Sequence, residues 1–250
     1  MKYFLSGELN LEWWEYIIAN CSPNYYYLCS YFYVRKKPDI FNLIYNNFQN
    51  LLIDSGAFTL QRGKKVDFLE YSKQYAKFIK KYDTDKIIGY FEMDIDIIVG
   101  YEEVLKLRHI LEDVSDKIIP VWHKNRGLDD FKEMCNNYDY VAITNKSTDI
   151  NPYNLTALKA FVDYAHKHNT KIHGLGISSK RFLEKIPFDS VDSTSFLLPL
   201  RFARLNNGKR LDSNFVTNNH KKVLLLSYIT ERKKQIYYYN KWKNVCKWEE

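Results

Sequence analysis

The sequence predicts an α/β fold, a (β/α)8 TIM-like barrel with a basic C-terminal helical appendage. Short runs of β-branched and aromatic residues alternate with amphipathic segments, which is the order expected of repeated βα units. The runs are continuously apolar rather than alternating, as in parallel strands that are covered on both faces. The chain has 250 residues, a usual length for one such barrel.

Seven strands are predicted from the apolar runs. They are residues 25–34, 50–58, 87–95, 117–123, 140–144, 171–177 and 190–194. Amphipathic periodicity predicts helices between them. These helices are residues 67–82, 101–111, 128–136, 155–168 and 180–186, with a longer one at about 221–248. We expect one barrel domain over residues 1–200, and a basic loop and helix packed on it over residues 201–250.

Composition excludes several classes of protein. Apolar residues make up 46% of the chain, which is enough for a sizeable core and is not typical of a disordered protein. The four cysteines form no CxxC pair and lie near no histidine at zinc-finger spacing, so we expect reduced thiols and a cytoplasmic protein. The sequence contains no secretory signal pattern and no apolar run of membrane-spanning length, so no membrane association is expected.

Positive charge is concentrated in the last fifth of the chain. The formal net charge is +7, and residues 201–250 contain 12 Lys and Arg against 4 Asp and Glu. This asymmetry favours a polyanion-binding face. A solvated surface helix would show the same composition.

Polar residues follow the predicted strands one after another. In a parallel barrel these positions share one rim, where catalytic groups lie. Helix capping is the simpler explanation for any single one of them. The residues are Asp54, Glu92, Asp94, Asp96, His123, Thr144, Asn145, His173, Gly174, Gly176 and Asp192.

Two carboxylates on different strands of one rim are typical of glycosyl-transfer chemistry. One attacks a sugar carbon as the nucleophile, and the other moves protons as the acid/base. The same residue types also suit a divalent metal, since Mg²⁺ prefers oxygen ligands. Metal binding by Asp54, Asp94 and Asp192 therefore stays open at this point.

Three segments carry a resemblance to a known family. They are "DSGAF" at residues 54–58, "YFEMDID" at residues 90–96 and "HGLGISSKRFLEKIPFDSVDSTSF" at residues 173–196. In this order they resemble the base-recognition and nucleophile motifs of the tRNA-guanine transglycosylases, which are barrels that exchange guanine for a 7-deazaguanine. The chain has no counterpart of their Cys-x-Cys-x-x-Cys zinc segment, so it is most similar to the short, zinc-free DNA deazaguanine transglycosylases of phages and bacteria.

The resemblance implies roles for individual residues. Asp192 would be the nucleophile, Asp54 the general acid/base, and Asp94 the acceptor for the N–H groups of the base. The base pocket would also include Ser55, Gly56, Phe58, His123, Asn145, His173 and Gly174. The family has Gln-Gly where this chain has Trp122-His123, and Gly-Gly-Leu where it has residues 144–146 as Thr-Asn-Lys.

The predicted partners follow from the same resemblance. They are DNA and a 7-deazaguanine base such as 7-cyano-7-deazaguanine, with no cofactor, no metal and a possible homodimer. Phosphates would be bound by cationic residues just beyond Asp192. These are Arg201, Arg204, Lys209 and Arg210. The alternatives are a tRNA substrate, a catalytically inactive barrel that binds nucleic acid, and a metal-dependent barrel hydrolase.

Overall fold

The computed structural model describes residues 1–21, 26–60, 66–144, 154–205, 208–246 and 248, except for the side chain of Phe58. The described residues form nine short strands, all paired in parallel. The strands are β1 (Lys2–Ser6), β2 (Tyr26–Ser30), β3 (Asn50–Asp54), β4 (Ile87–Phe91), β5 (Ile118–Ile119), β6 (Val121–Trp122), β7 (Tyr140–Thr144), β8 (Lys171–Leu175) and β9 (Ser190–Ser193).

Helices and helical turns follow the strands along the chain. They are α1 (Leu11–Asn20), α2 (Tyr31–Val34), α3 (Pro38–Asn47), α4 (Ala57–Leu60), α5 (Phe68–Tyr82), α6 (Asp96–Val99), α7 (Tyr101–Glu112), α8 (Gly127–Asn137), α9 (Leu155–Lys167), α10 (Lys180–Leu183), α11 (Leu198–Phe202), α12 (Ser213–Asn218) and α13 (His220–Trp242). Two 3₁₀ turns, Lys124–Arg126 and Ser195–Leu197, precede α8 and α11. Within the described ranges, no helix has the length and apolar character needed to cross a bilayer.

The sheet forms a nearly closed barrel, which confirms the predicted fold class. Its strand order is β5-β4-β3-β2-β1-β9-β8-β7-β6. The two terminal strands of this order, β5 and β6, are separated in the chain by Pro120 alone. Proline lacks the N–H that a continuous ladder requires. The Pro120 carbonyl nevertheless accepts a hydrogen bond from the Ala142 N–H at 2.9 Å, so the ring continues across the proline.

Some predicted strand boundaries are wrong. Lys2–Ser6, for which no strand was predicted, lies between β2 and β9 and completes the ring. The predicted strand 25–34 ends at Ser30 and turns into α2. The apolar residues of that turn, such as Tyr31 and Val34, are buried against helices instead of forming a strand.

Alternation along the strands separates two apolar layers. One lies inside the barrel and the other between the sheet and the helices. The interior cluster consists of Phe4, Leu28, Leu52, Phe91, Ile119, Val121, Tyr140 and Ala142. Two residues further along β1, β2 and β3, the same inward face carries Ser6, Ser30 and Asp54. The carboxyl end of the barrel interior is therefore polar.

The long C-terminal helix α13 covers the β1 side of the barrel. Gln235 donates from its amide to the carbonyls of Tyr3 and Tyr26, at 2.8 and 2.9 Å. Glu231 is buried and accepts hydrogen bonds from the hydroxyls of Tyr3 and Ser195, at 3.0 and 2.9 Å. The polar residues on this face of the helix therefore bind the barrel.

The four cysteines are free thiols. Cys29, Cys135 and Cys246 are buried, and Cys21 is partly exposed. Burial raises the pKa of each buried thiol, to about 12 for Cys135 and about 11 for Cys246. These cysteines are therefore protonated packing residues rather than nucleophiles.

Candidate active site

Three carboxylates lie at the carboxyl ends of the barrel strands. Asp54 is the last residue of β3, Asp94 follows β4, and Asp192 lies in β9 beside Phe4 of β1. The charges of Asp94 and Asp192 both act on Asp54. The side chains of Asp94 and Asp192 remain 14% and 13% exposed, so a ligand at the barrel mouth can reach them.

Asp192 is held by donors from three directions. The Ser6 hydroxyl donates to Oδ2 at 2.9 Å, and the Gly176 N–H donates to Oδ1 at 2.6 Å. His173 Nε2 lies 3.5 Å from Oδ1. Burial alone would raise the pKa of this carboxyl, but the three donors outweigh burial and lower it below its usual value. Asp192 is therefore an oriented, ionised carboxylate at neutral pH.

His173 lies beneath Asp192, inside the barrel. Its ring is fully buried beside Phe4 and Phe91, and its Nδ1 contacts the hydroxyls of Ser190 and Tyr140. Burial lowers the pKa of the ring, although Asp192 opposes this effect, so the imidazole is neutral. We assign its proton to Nε2, which faces Asp192. His173 was predicted to contact the base, but its complete burial makes it a positioning residue for Asp192.

Asp54 has the opposite electrostatic environment. Burial, together with the nearby charge of Asp94, raises its pKa to about 7. The Ser30 hydroxyl and the Gly56 N–H, which donates to Oδ2 at 3.0 Å, oppose this increase but do not cancel it. Asp54 can therefore both donate and accept a proton near neutral pH.

Asp94 is the accessible acid of the segment after β4. From the sequence, the neighbouring acids Glu92 and Asp96 were also candidates for the base-recognising acid. In the structure both form buried ion pairs. Arg126 binds Asp96 through Nε at 2.6 Å and through Nη2 at 2.8 Å, and binds Glu92 at 3.0 Å. Arg108 binds the other oxygen of Glu92 at 2.6 Å. Asp94 instead lies 3.5 Å from His123 Nε2.

The buried ion pairs also connect two loops of the rim. Glu92 accepts a hydrogen bond from the Val121 N–H at 2.7 Å, and Arg126 follows His123 by three residues. The segment after β4 is thereby attached to the segment after β6. This attachment places Asp94 and His123 opposite each other.

Ser55, Gly56 and Gly174 serve packing in this structure. Ser55 is fully buried, and its hydroxyl accepts a hydrogen bond from the Ala57 N–H at 3.4 Å. Gly56 has φ +83°, and a Cβ at this position would overlap the Cβ of Phe32. A Cβ on Gly174 would meet Ile177 and Phe188, in the layer outside the sheet. These contacts help to place Asp54 and His173, and the contact of the three residues with a base stays a prediction.

Two predicted pocket residues lie outside what the structure describes. Asn145 falls in the undescribed range 145–153, and the side chain of Phe58 is not described. The four predicted phosphate-binding residues are all exposed, on the loop that follows β9. Two of them, Arg204 and Arg210, pair with each other in an antiparallel bridge.

Ser6 and Ser30 are site residues that were not predicted from the sequence. Each ends a strand on the inward face, beside Asp192 and Asp54 respectively. If β1 had been predicted, Ser6 would have been a candidate site residue, because it is the last residue of its strand, as Asp54 is of β3. In the part of the chain that is described, no group of three His, Cys, Asp or Glu side chains is arranged to hold a metal ion.

The chain was compared with known proteins. No family model and no curated protein matches it. A putative fructose-1,6-biphosphate aldolase from Coccidioides immitis is similar in structure, with a TM-score of 0.55, 10% identity, and coverage of 98% of this chain and 92% of that one. Orotidine 5'-phosphate decarboxylase from Thermotoga maritima gives a TM-score of 0.45 at 14% identity, with coverage of 79% and 92%. The likeness to the aldolase supports the barrel fold and, at this identity, nothing beyond the fold.

Proposed function

We propose that this protein is a DNA guanine transglycosylase that exchanges guanine for a 7-deazaguanine through a covalent Asp192–nucleotide intermediate. The observation that carries the proposal is the opposed electrostatics of two carboxylates on one rim. Asp192 is held ionised, whereas the pKa of Asp54 is raised to about 7. A double displacement at a sugar carbon requires this division between a nucleophile and a proton carrier.

In the first half-reaction, Asp192 attacks C1′ of the target nucleotide, and the C1′–N9 bond breaks. The departing guanine takes its proton from the neutral carboxyl of Asp54. In the second half-reaction, the ionised Asp54 takes the N9 proton of the incoming 7-deazaguanine. That base then displaces Asp192 from C1′, which restores both carboxyl groups and retains the configuration at C1′.

Asp94 and His123 are suited to recognition of the base. The Watson–Crick edge of guanine presents N–H donors, and a carboxylate is an acceptor only. Asp94 is exposed enough to reach such an edge, and His123 is 3.5 Å away on the adjoining loop. The same pair would accept the entering 7-deazaguanine, which has the same edge.

The proposal of DNA as the substrate is supported by the exposed cationic loop beyond Asp192 and by the absence of the tRNA enzymes' zinc motif from the sequence. Both features are also compatible with a structured RNA. Guanine exchange must therefore be compared on duplex DNA and on tRNA.

The test is incorporation of radiolabelled guanine into duplex DNA and, in parallel, into tRNA. We expect label in duplex DNA with the wild-type chain and none with Asp192→Asn, which keeps the shape but removes the nucleophilic charge. Asp163→Asn is the matched control, because Asp163 is exposed on α9, away from the rim. Undiminished exchange by Asp192→Asn would refute the nucleophile assignment.

Other outcomes identify the alternatives. Label in tRNA alone would identify a tRNA enzyme. Binding without exchange, with several 7-deazaguanine donors, would identify an inactive nucleic-acid-binding barrel. Loss of activity on addition of EDTA would favour a metal-dependent enzyme.

A further inference from the structure

Phe202 is an exposed aromatic side chain at the end of α11, the helix that follows β9 and its 3₁₀ turn. It is 67% exposed, whereas Phe196, in the 3₁₀ turn before α11, is fully buried. A phenylalanine left in water does not contribute the free energy of its burial to the fold. A single exposed apolar side chain is common on protein surfaces, so its surroundings decide whether it contacts a partner.

The backbone presents Phe202 in a fixed position. Phe202 is the last residue of α11, which contains Pro199 in its first turn. The next residue, Ala203, has the left-handed conformation, with φ 45° and ψ 44°. Its carbonyl accepts a hydrogen bond from the Leu211 N–H at 2.7 Å, which closes the base of the Arg204–Arg210 hairpin. Such a conformation persists in a residue other than glycine only where the surroundings stabilise it.

The 3₁₀ turn before α11 packs on the residue that follows Ser6, which binds the proposed nucleophile. Ser6 binds Asp192, and the next residue, Gly7, packs so closely on Leu197 that a Cβ there would overlap it. Arg201 lies close enough to Glu8 for their charges to interact. The turn that carries Phe202 therefore adjoins the loop that positions Asp192.

The surroundings of Phe202 are cationic. Residues 201–211 contain four cations and no acid. The four cations, Arg201, Arg204, Lys209 and Arg210, are exposed. An apolar side chain between arginines fits duplex DNA. Its phosphates bind the cations, while its stacked bases accept an apolar wedge.

We propose that Phe202 inserts into the base stack of duplex DNA and fills the space that the target guanine leaves when it turns out towards Asp192. This inference rests on the proposed function, because a base buried in a duplex must leave the stack before C1′ can be attacked. Unstacking costs a few kcal/mol, and an inserted side chain offsets part of that cost. A single-stranded substrate needs no such side chain.

The test compares Phe202→Ala with Phe215→Ala, its matched control. Phe215 is also exposed, at 51%, but lies on α12 after Asp212 and outside the 201–211 segment. The probe is a duplex that contains one guanine with 2-aminopurine beside it, together with the same labelled strand alone. Fluorescence of the 2-aminopurine reports unstacking, and anisotropy reports binding.

With the wild-type chain and Phe215→Ala, we expect 2-aminopurine fluorescence to rise on binding of the duplex. With Phe202→Ala we expect the rise to be lost and exchange on the duplex to fall on the order of tenfold, which corresponds to ~1.4 kcal/mol. Exchange on the single strand should be unchanged. Equal behaviour of the two variants, an equal loss on the single strand, or no binding of duplex DNA would overturn the inference.

These readouts separate the two proposals. If the fluorescence response depends on Phe202 but no variant exchanges guanine, the wedge stands and the transglycosylase proposal fails. If exchange on duplex DNA proceeds and Phe202→Ala leaves it intact, the transglycosylase proposal stands and the wedge fails.

Discussion

Asp54 and Asp192 are the same type of side chain on the same rim, and their surroundings shift their pKa values in opposite directions. Asp192 is surrounded by three donor groups, the Ser6 hydroxyl, the Gly176 N–H and His173 Nε2. Asp54 is half-buried and lies near a second negative charge, that of Asp94. The number and charge of the groups around each carboxyl, rather than its burial alone, set its protonation.

The raised pKa of Asp54 predicts a pH-dependent effect on stability. Because its folded-state pKa, about 7, exceeds that of the unfolded chain, the protonated form stabilises the fold. This contribution is complete below about pH 4 and is lost as the pH rises through about 7. The side chain at position 54 of the Asp54→Asn variant stays neutral at every pH, so this variant does not lose that stability as the pH rises. We expect its stability relative to wild type to increase between pH 5 and pH 8, by at most about 1.4 kcal/mol per pH unit.

Urea denaturation at several pH values measures this difference. Asp163→Asn, at an exposed position, is the control and should follow the wild-type curve. A difference between Asp54→Asn and wild type that stays constant with pH would show that Asp54 is an ordinary, ionised cap.

His173 should act through Asp192. Because His173 favours the charged form of Asp192, the His173→Gln variant should raise the pKa of Asp192. The acidic limb of the exchange reaction should move to higher pH by the same amount. Carbon-13 NMR titration of the aspartate carboxyls, with Asp192→Asn for assignment, measures the pKa without relying on activity. His109→Gln changes an exposed histidine and should leave the titration as in wild type.

At the scale of elements, the turn after β3 places Asp54, and Gly56 makes this turn possible. Gly56→Ala would combine a left-handed backbone with overlap on Phe32, whereas Gly100→Ala meets open space at nearly the same φ, +81°. We expect Gly100→Ala to cost about 1 kcal/mol and Gly56→Ala to cost ~3 kcal/mol or more in the free energy of unfolding. Chemical denaturation of the two variants measures the difference. Equal costs would mean that the Phe32 contact relaxes freely.

Another element-scale feature is the buried set of Glu92, Asp96, Arg108 and Arg126. The sequence has three acids after β4, of which the resemblance singled out Asp94, with Glu92 and Asp96 as competitors. Two arginines that come 12 and 30 residues after Asp96 bind Glu92 and Asp96, which leaves Asp94 for the mouth. The periodicity of a strand cannot show which of its acidic side chains form ion pairs with residues of other helices and loops.

At the scale of the whole molecule, α13 stabilises the barrel through β1. A chain that ends at residue 219 would leave the carbonyls of Tyr3 and Tyr26 without their donor from Gln235 and would expose the surface around Phe196 that Tyr228 of α13 covers. We expect this shortened chain to lose cooperative unfolding, as followed by circular dichroism and tryptophan fluorescence. Addition of a peptide of residues 220–248 should restore the transition. A shortened chain with the wild-type midpoint would show that the barrel is stable without α13.

Local sequence patterns were sufficient for most elements of this protein. Continuous apolar runs located the strands that carry Asp54, His173 and Asp192, because parallel strands are buried on both faces whatever the rest of the chain does. Helical periodicity located α5, α7, α8 and α9 to within one or two residues. The resemblance to transglycosylase motifs suggested which acids to consider, and that assignment remains a proposal.

The sequence by itself indicated the order of the strands from β2 onward and of the long helices from α5 onward, since burial patterns are local, and it placed polar side chains at the strand ends. Only the tertiary structure decided that Lys2–Ser6 is a strand, because five residues acquire that conformation from neighbours more than 20 residues away. The tertiary structure also decided that Ser6 and His173 orient Asp192, and that Asp54 rather than Asp192 is the acid of raised pKa. The physical reason is that electrostatic environments are built from groups distant in sequence, which the closed barrel brings to one rim.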